Sequence, residues 1–232
     1  MNYDLSGLIL VADEAVIVVN KPAGLRTLPD GYHLELPYLR GILEPEYGRL
    51  WITHRLDRET SGVIVLARTA ESHRCLNNQF EKRQIIKKYH SLVKGNPDWN
   101  DKEIKLPLPV NGDSRHRSVV DQRNGKPAWT RIQLIEKLGG YCLVEAEPRT
   151  GRTHQIRAHL AAIGMPVLED LLYGTSESVK QEKSLINRPA LHALSISFLH
   201  PTTQAKVFVQ APYPEDFWFA LSQLRLNSQP NG

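Results

Sequence analysis

Three clusters of polar residues have types and spacings suited to chemistry. In the first, Thr53-His54-Arg55-Leu56-Asp57-Arg58-Glu59-Thr60 runs into the apolar segment Gly62-Val-Ile-Val-Leu-Ala67. Asp57 lies between Arg55 and Arg58. Nearby cations favour an ionised carboxylate, which suits nucleophilic or electrostatic work and not proton donation. The same pattern also describes an ion pair that ties down a loop. His54 and Asp57 supply too few convergent ligands for a metal. In the second cluster, Thr150 to Leu160, the residues Arg152, His154 and Arg157 crowd the start of a predicted helix. That end of a helix dipole disfavours cations, so a compensating anion is expected, either a buried carboxylate or a phosphate. One economical arrangement sets Arg157 against Asp57. His154 and His159 are five residues apart and do not share a helix face, which leaves them structural or nucleic-acid-contacting roles. The third cluster, Lys87-Lys88-Tyr89, puts an aromatic beside two lysines in a predicted strand. Such a ring can stack on a base while the lysines meet phosphates, or it can be a half-buried strand tyrosine with snorkelling neighbours.

Composition narrows the setting for these clusters. The chain has 232 residues, with 29 Lys+Arg against 25 Asp+Glu, a net charge of +4. Its apolar content is ordinary for a globular protein, so a sizeable core can be buried. No apolar run approaches the roughly 18–20 residues of a membrane span, and the first residues lack the basic and apolar regions of a secretory signal. Cys75 and Cys142 cannot make a disulfide framework or a four-ligand zinc site and read as buried small hydrophobes. The charge is regional. Glu81 to Arg131 holds 12 basic and 6 acidic residues, or +6, and the remainder carries −2. A one-sided basic stretch is the footprint of a polyanion partner, or simply a solvated face. No phosphate-binding Gly-rich loop, Gly-x-Ser-x-Gly elbow or Cys-x-x-Cys is present, so nucleotide-triphosphate and dinucleotide chemistry lack their usual warrant.

The elements that must position the clusters follow from periodicity and punctuation. Leu8–Val11 and Val16–Val19 read as short strands before the turn Asn20-Lys-Pro-Ala-Gly24, and residues 25–50 read as irregular. Gly62–Ala67 is a strand, and Thr69 opens a helix with Leu76 and Phe80 on one face. Ile86–Val93 is a strand, and 98–126 is polar, basic and loop-rich. Trp129–Ile135 and Tyr141–Ala146 form a hairpin through Gly139-Gly140. Thr153–Ile163 is helical, Leu191–Phe198 and Val207–Val209 are strands, and a last helix starts at Pro214. Many strands without a βαβ rhythm indicate α+β, with a mostly antiparallel, mixed central sheet and flanking helices and loops. Residues 1–226 are expected to form one domain, and 227–232 a frayed tail.

In combination and order these residues resemble the RluA family of RNA pseudouridine synthases. The matching pieces are Val18-Val-Asn-Lys-Pro-Ala-Gly24, His54-Arg-Leu-Asp57 with Thr60-Ser-Gly62, Lys87-x-Tyr89 and Gly125-Lys-Pro-Ala128. They continue with Thr150-Gly-Arg-Thr-His-Gln-Ile-Arg-x-His159, Gly164-x-Pro166 with Asp170 and Tyr173, Leu191-His-Ala193 and His200-Pro201. The resemblance implies the family's catalytic fold with a central cleft, and Asp57 as the catalytic aspartate. It implies that Arg55 enters the space of a flipped-out uridine, that Tyr89 packs on the uracil and that Arg157 pairs with the aspartate. His54, Arg58, Lys87, Lys88, Arg152 and His154 are then candidates for RNA binding or base flipping. The family usually has glycine where Glu169 stands, and a positive φ at that position would strain a glutamate. The form resembled is the short one without an S4 RNA-binding domain. It implies no cofactor and no metal, structured rRNA or tRNA as partner, no membrane, a cytoplasmic setting and a monomer. Two other readings compete: a non-catalytic RNA-binding module, and a nucleoside or glycoside hydrolase using Asp57 with Glu59 as the only nearby second acid.

Overall fold

The computed structural model describes residues 7–33, 35–109, 117–174 and 184–228. These fall into two compact units, where the sequence pattern suggests one domain over 1–226. The first unit comprises residues 1–87 and 193–213, and the second 88–192 and 214–232.

In the first unit, apolar strands stack edge to edge. β1 (Ile9–Ala12) pairs antiparallel with β2 (Val16–Lys21), and β2 with β4 (Ser61–Ala67), in a register that sets Val19 opposite Ile64 and Lys21 opposite Gly62. Every residue of β4 is buried, as its uninterrupted apolar run requires of a strand covered on both faces. β3 (Trp51–Ile52) pairs with the far end of β4, so the chain between them, residues 53–60, is a tight loop returning over the sheet end. β9 (Leu191–Leu199) lies beside β4, and β10 (Lys206–Gln210) pairs antiparallel with β9. Gly62 sits at φ +111, and a Cβ there would collide with the carbonyl of Ala193, so only glycine allows this approach of β4 to β9.

Two helices complete the unit. α2 (Ala70–Glu81) is capped by Thr69, whose Oγ1 accepts from the Ser72 amide at 3.0 Å. α1 (Leu39–Tyr47) was not expected, since residues 25–50 read as irregular. Pro45 lies within its last turn, and Gly41 further hides a helix held by the burial of Leu39 and Leu43, one turn apart.

The second unit is an antiparallel sheet of β5 (Ile86–Lys94, from Lys88 onward), β8 (Tyr141–Pro148), β7 (Thr130–Leu138) and β6 (Asp101–Ile104), in that order. Gly139 and Gly140, both at positive φ, make the β7–β8 turn. β6 corrects the reading of 98–126 as loop. Its charged residues suit a sheet edge, and three of its four residues are exposed. Residues 110–116 of that basic segment lie outside the described residues. α3 (Gln155–Ala162) and α4 (Glu215–Ser228) flank this sheet. α4 is held by Arg188 forked onto Asp216 at its first turn and by Arg225 on Glu136 of β7. Asn227 and Ser228 belong to α4, not to a frayed tail, and the rest of the expected tail lies outside the described residues. The α+β class with mostly antiparallel strands holds in both units.

Candidate active site

The loop carrying Asp57 is fixed by its backbone. Lys21 ends β2 with its side chain fully buried, and its ammonium donates to the carbonyls of Pro22 and Leu25, each at 2.8 Å, and of Arg58 at 3.1 Å. One lysine thus ties the 22–25 turn to the loop. Gly24 N–H donates to the same Arg58 carbonyl at 2.9 Å. Buried Thr27 brackets Leu56, donating to its carbonyl and accepting from its amide at 3.1 and 3.3 Å. Thr60 N–H closes a turn on the Asp57 carbonyl at 3.1 Å. At the other end, Thr53 donates to the Val65 carbonyl at 2.6 Å, and His54 Nε2 accepts from the Val65 amide at 3.2 Å. Asp57, half-buried, is therefore presented from a segment anchored before, within and after it.

The neighbours of Asp57 divide. Arg55 is exposed. Arg58 turns to Glu59, with Nε donating to its carboxylate at 2.5 Å. His54 is half-buried, packs on the Phe80 ring at 4.9 Å between centroids, and is pushed down to about 3 by burial and then by the Lys87 charge. It is neutral in the working range, and because Nε2 accepts a hydrogen bond its proton sits on Nδ1. Lys87 also lies over that ring, with Nζ 5.7 Å from the Phe80 centroid, and burial pushes its ammonium down to about 8.

In the second unit, strand alternation separates Lys88 and His90 from Tyr89. Lys88 donates to Glu145 at 2.7 Å, and the His90 imidazole lies 3.6 Å from the same carboxylate. Tyr89, opposite Ala146, is 8% exposed.

The 150–160 cluster is a directional hydrogen-bond chain. Gln155 Oε1 accepts from Thr150 Oγ1 (2.7 Å) and Arg152 N (3.0 Å), while Nε2 donates to Trp129 O and Thr130 Oγ1, each at 3.0 Å. Thr130 then donates to Nδ1 of His159, whose Nε2 donates to the Leu106 carbonyl, each at 2.9 Å. Burial lowers the His159 pKa, in keeping with a neutral ring. Gln155 and His159 thus lock the start of α3 onto β7, and His159 takes the structural role.

The anion that the α3 dipole calls for is Asp170. Arg157 Nε and Nη2 donate to its two carboxylate oxygens at 2.7 Å each, and the Asp170 side chain is wholly buried. The amides of Leu172 and Tyr173 also donate to Oδ1 at 3.1 and 3.2 Å. Arg157 thus forks onto a carboxylate 13 residues further along the chain. Glu169, which precedes it, sits at φ +56, so the conformation that favours glycine is present under a glutamate. Tyr173 packs beneath the Arg157 guanidinium at 5.1 Å. Its hydroxyl accepts from Ser118 N at 2.6 Å and donates to His154 Nδ1 at 3.2 Å, and burial raises its pKa. His154 is the left-handed N-cap of α3, at φ 52. Arg152 is exposed, with Nε on the Pro127 carbonyl at 3.3 Å. Among the described residues no cluster of His, Cys, Asp and Glu could hold a metal.

A family model described as RNA pseudouridylate synthase matches residues 15–162, which span the Asp57 loop, Tyr89 and Arg157. The chain belongs to the RNA pseudouridylate synthase family. It is 36% identical over 231 residues to the ribosomal large subunit pseudouridine synthase D of Neisseria meningitidis serogroup B, covering 95% of this chain and 62% of that protein. It is also 36% identical over 227 residues to the ribosomal large subunit pseudouridine synthase C of Escherichia coli K12, covering 95% and 71%. The chain thus spans just over three fifths of the first of these relatives. The solved structure of human RNA pseudouridylate synthase domain containing 4 matches with a TM-score of 0.76 at 26% identity, covering 95% of this chain and 94% of that one. The positioning side chains to which the sequence pattern gave no role are Lys21 and Thr27, which anchor the Asp57 loop, and Phe80, which touches His54 and Lys87. Asp170 and Tyr173 were visible only as parts of a motif. The signal for Lys21 was a lone cation closing an apolar strand just before a Pro-x-Gly turn.

Proposed function

We propose that the chain isomerises uridine to pseudouridine in structured RNA, large-subunit rRNA or tRNA, with Asp57 acting on the ribose. The observation that carries this reading is the Asp57 loop, anchored by Lys21, Thr27 and Val65 in a chain of this family. The reaction breaks the N1–C1′ bond, turns the uracil and joins C5 to C1′. N1 gains a proton and C5 loses one, so nothing is oxidised and no group leaves. Such chemistry requires no cofactor. Because the uracil departs as a delocalised anion and is recaptured, one carboxylate suffices where a glycosidase uses two. Asp57 either attacks C1′ or takes the C2′ proton. The second acid that a hydrolase would need, Glu59, is engaged by Arg58.

The uridine must leave its stack at a cost of roughly a few kcal/mol. Arg55, exposed two residues before Asp57, fills the vacated space. Tyr89 packs on the uracil, a role for an aromatic face that needs no proton transfer. Arg157, oriented by Asp170, supplies fixed positive charge at the reacting group. Arg152 contacts the backbone, whereas Arg58 and Lys88 are committed to Glu59 and Glu145. The enzyme works as a monomer in the cytoplasm. No helix of the described residues is long and apolar enough to cross a membrane.

The test is Asp57→Asn, assayed by tritium release from 23S rRNA and tRNA transcripts carrying 5-tritiated uridine. Wild type should release tritium, and the variant should bind RNA yet release none. Full turnover by the variant refutes the role of Asp57. Release of free uracil by wild type refutes isomerisation.

A further inference from the structure

Lys87 and His54 both lean on the Phe80 ring, with its centroid 5.7 Å from the ammonium and 4.9 Å from the imidazole. They come from different elements, β5 and the Asp57 loop, α2 supplies the ring that both touch, and the Lys87 charge is near enough to act on the His54 imidazole. Among the described residues, the other basic candidates have an acidic partner or a backbone acceptor. Lys88 is on Glu145, Arg58 on Glu59, Arg157 on Asp170, Lys21 on three carbonyls and Arg152 on Pro127; only exposed Arg55 projects into water. Lys87 is different. It is half-buried, yet among the described residues no carboxylate or carbonyl accepts from it, and its only partner is the face of Phe80. His54 is similar. The Val65 amide occupies Nε2, which sets the proton on Nδ1, and no acceptor among the described residues takes it.

A partly desolvated ammonium with no anion is costly to hold, and burial already pulls Lys87 down to about 8. The pairing of an unneutralised cation with a neutral N–H donor on the Phe80 ring, with His54 three residues before Asp57, suits one oxygen-rich anion. We infer that Lys87 and Nδ1–H of His54 form a seat for one backbone phosphate of the RNA, and that Lys88, its sequence neighbour, takes no part. The assignment rests on the RNA-modifying role proposed above and specifies how the substrate strand is held at that site. Phe80 sets the spacing. His54 donates without adding charge, so the seat neutralises one phosphate and no more.

Counterion release makes this measurable. Each phosphate neutralised adds about 0.7–0.9 to the slope of log Kd against log salt. Affinity for the shortest 23S rRNA or tRNA transcript that wild type modifies should be measured between 50 and 300 mM KCl, over which the Debye length falls from about 14 to about 6 Å. Lys87→Met should lower the slope by about 0.7–0.9 and weaken binding about tenfold at low salt. Lys87→Arg should keep the slope, and Lys88→Met should leave it unchanged. In wild type, the Nδ1–H resonance of 15N-labelled His54 should shift when that transcript is added. If wild type modifies the transcript but Lys87→Met keeps the full slope, or Lys88→Met loses as much, the phosphate seat is wrong and the proposed function stands. If the methionine variant does not fold, an unmoved His54 resonance in wild type refutes the seat by itself. If wild type neither binds nor modifies any transcript, the proposed function falls and the seat with it.

Discussion

Arg157 and Asp170 should be energetically inseparable. Asp170 is wholly buried, and its two oxygens accept four hydrogen bonds, two of them from the Arg157 fork. Truncating Arg157 to methionine keeps most of the buried stem but leaves a carboxylate with two amide donors and no cation. Breaking a buried pair in this way costs about 3–5 kcal/mol. For a chain of this size, each kcal/mol moves the midpoint by roughly 2–4 °C, so Arg157→Met should lower Tm by about 6–20 °C. Asp170→Asn keeps an oxygen for the Leu172 and Tyr173 amides but turns an N–H₂ group toward Arg157 Nε, and should also destabilise. The double variant removes both charges and retains the amide contacts, so it should be less damaged than the sum of the singles by about 0.5–3 kcal/mol, the range for contacting residues. Urea unfolding at pH 7 on the four proteins measures this, with m compared across the set. A coupling below about 0.5 kcal/mol, the level of independent sites, would show that the forked contact does not organise this turn. Tritium release separates orientation from mere stability: Asp170→Asn, assayed well below its midpoint, should lose activity that added stability does not restore.

Two further outcomes are expected. Glu169→Gly relieves a left-handed residue worth about 1–2 kcal/mol of backbone strain, offset by glycine's larger unfolded-state entropy of about 0.5–1 kcal/mol. Thermal melts should show a gain of up to about 6 °C, and a lower midpoint would mean that the glutamate side chain does something useful at the turn. Lys87→Met should be more stable than wild type below pH 8. The folded ammonium is pushed by burial to about 8 from its usual 10.5, so between those values the unfolded chain binds more protons and wild-type stability rises with pH. The variant's advantage should therefore be largest at pH 7 and shrink as pH approaches 10.5. A variant less stable at pH 7 contradicts this.

What could be read from the sequence was local. β4 followed from an uninterrupted apolar run, α2 from a Thr69 cap with Leu76 and Phe80 one turn apart, and the β7–β8 hairpin from two adjacent glycines. α1 escaped because Pro45 and Gly41 weaken every local helix signal, and the helix is held by the burial of Leu39 and Leu43. β3 is two residues long and exists only because β4 offers it an edge. Longer-range chemistry was legible as a demand but not as an answer. The crowding of Arg152, His154 and Arg157 at a helix start called for an anion. Which anion depended on a turn through Glu169, whose backbone conformation no side-chain pattern announces.

The same distinction applies to the cations, which charge counting does not tell apart. Arg58, Lys88 and Lys87 are equivalent in composition, but each faces a different partner across the sheet or loop. Glu59 neutralises the first, Glu145 the second, and an aromatic ring lies beneath the third. Lys21, read as part of a turn motif, is fully buried and spends its three N–H bonds on carbonyls that would otherwise splay the Asp57 loop. In this chain the cations are therefore sorted by the acceptors available to them. Lys87, with no acceptor among the described residues, is the cation on which the proposed phosphate seat is built.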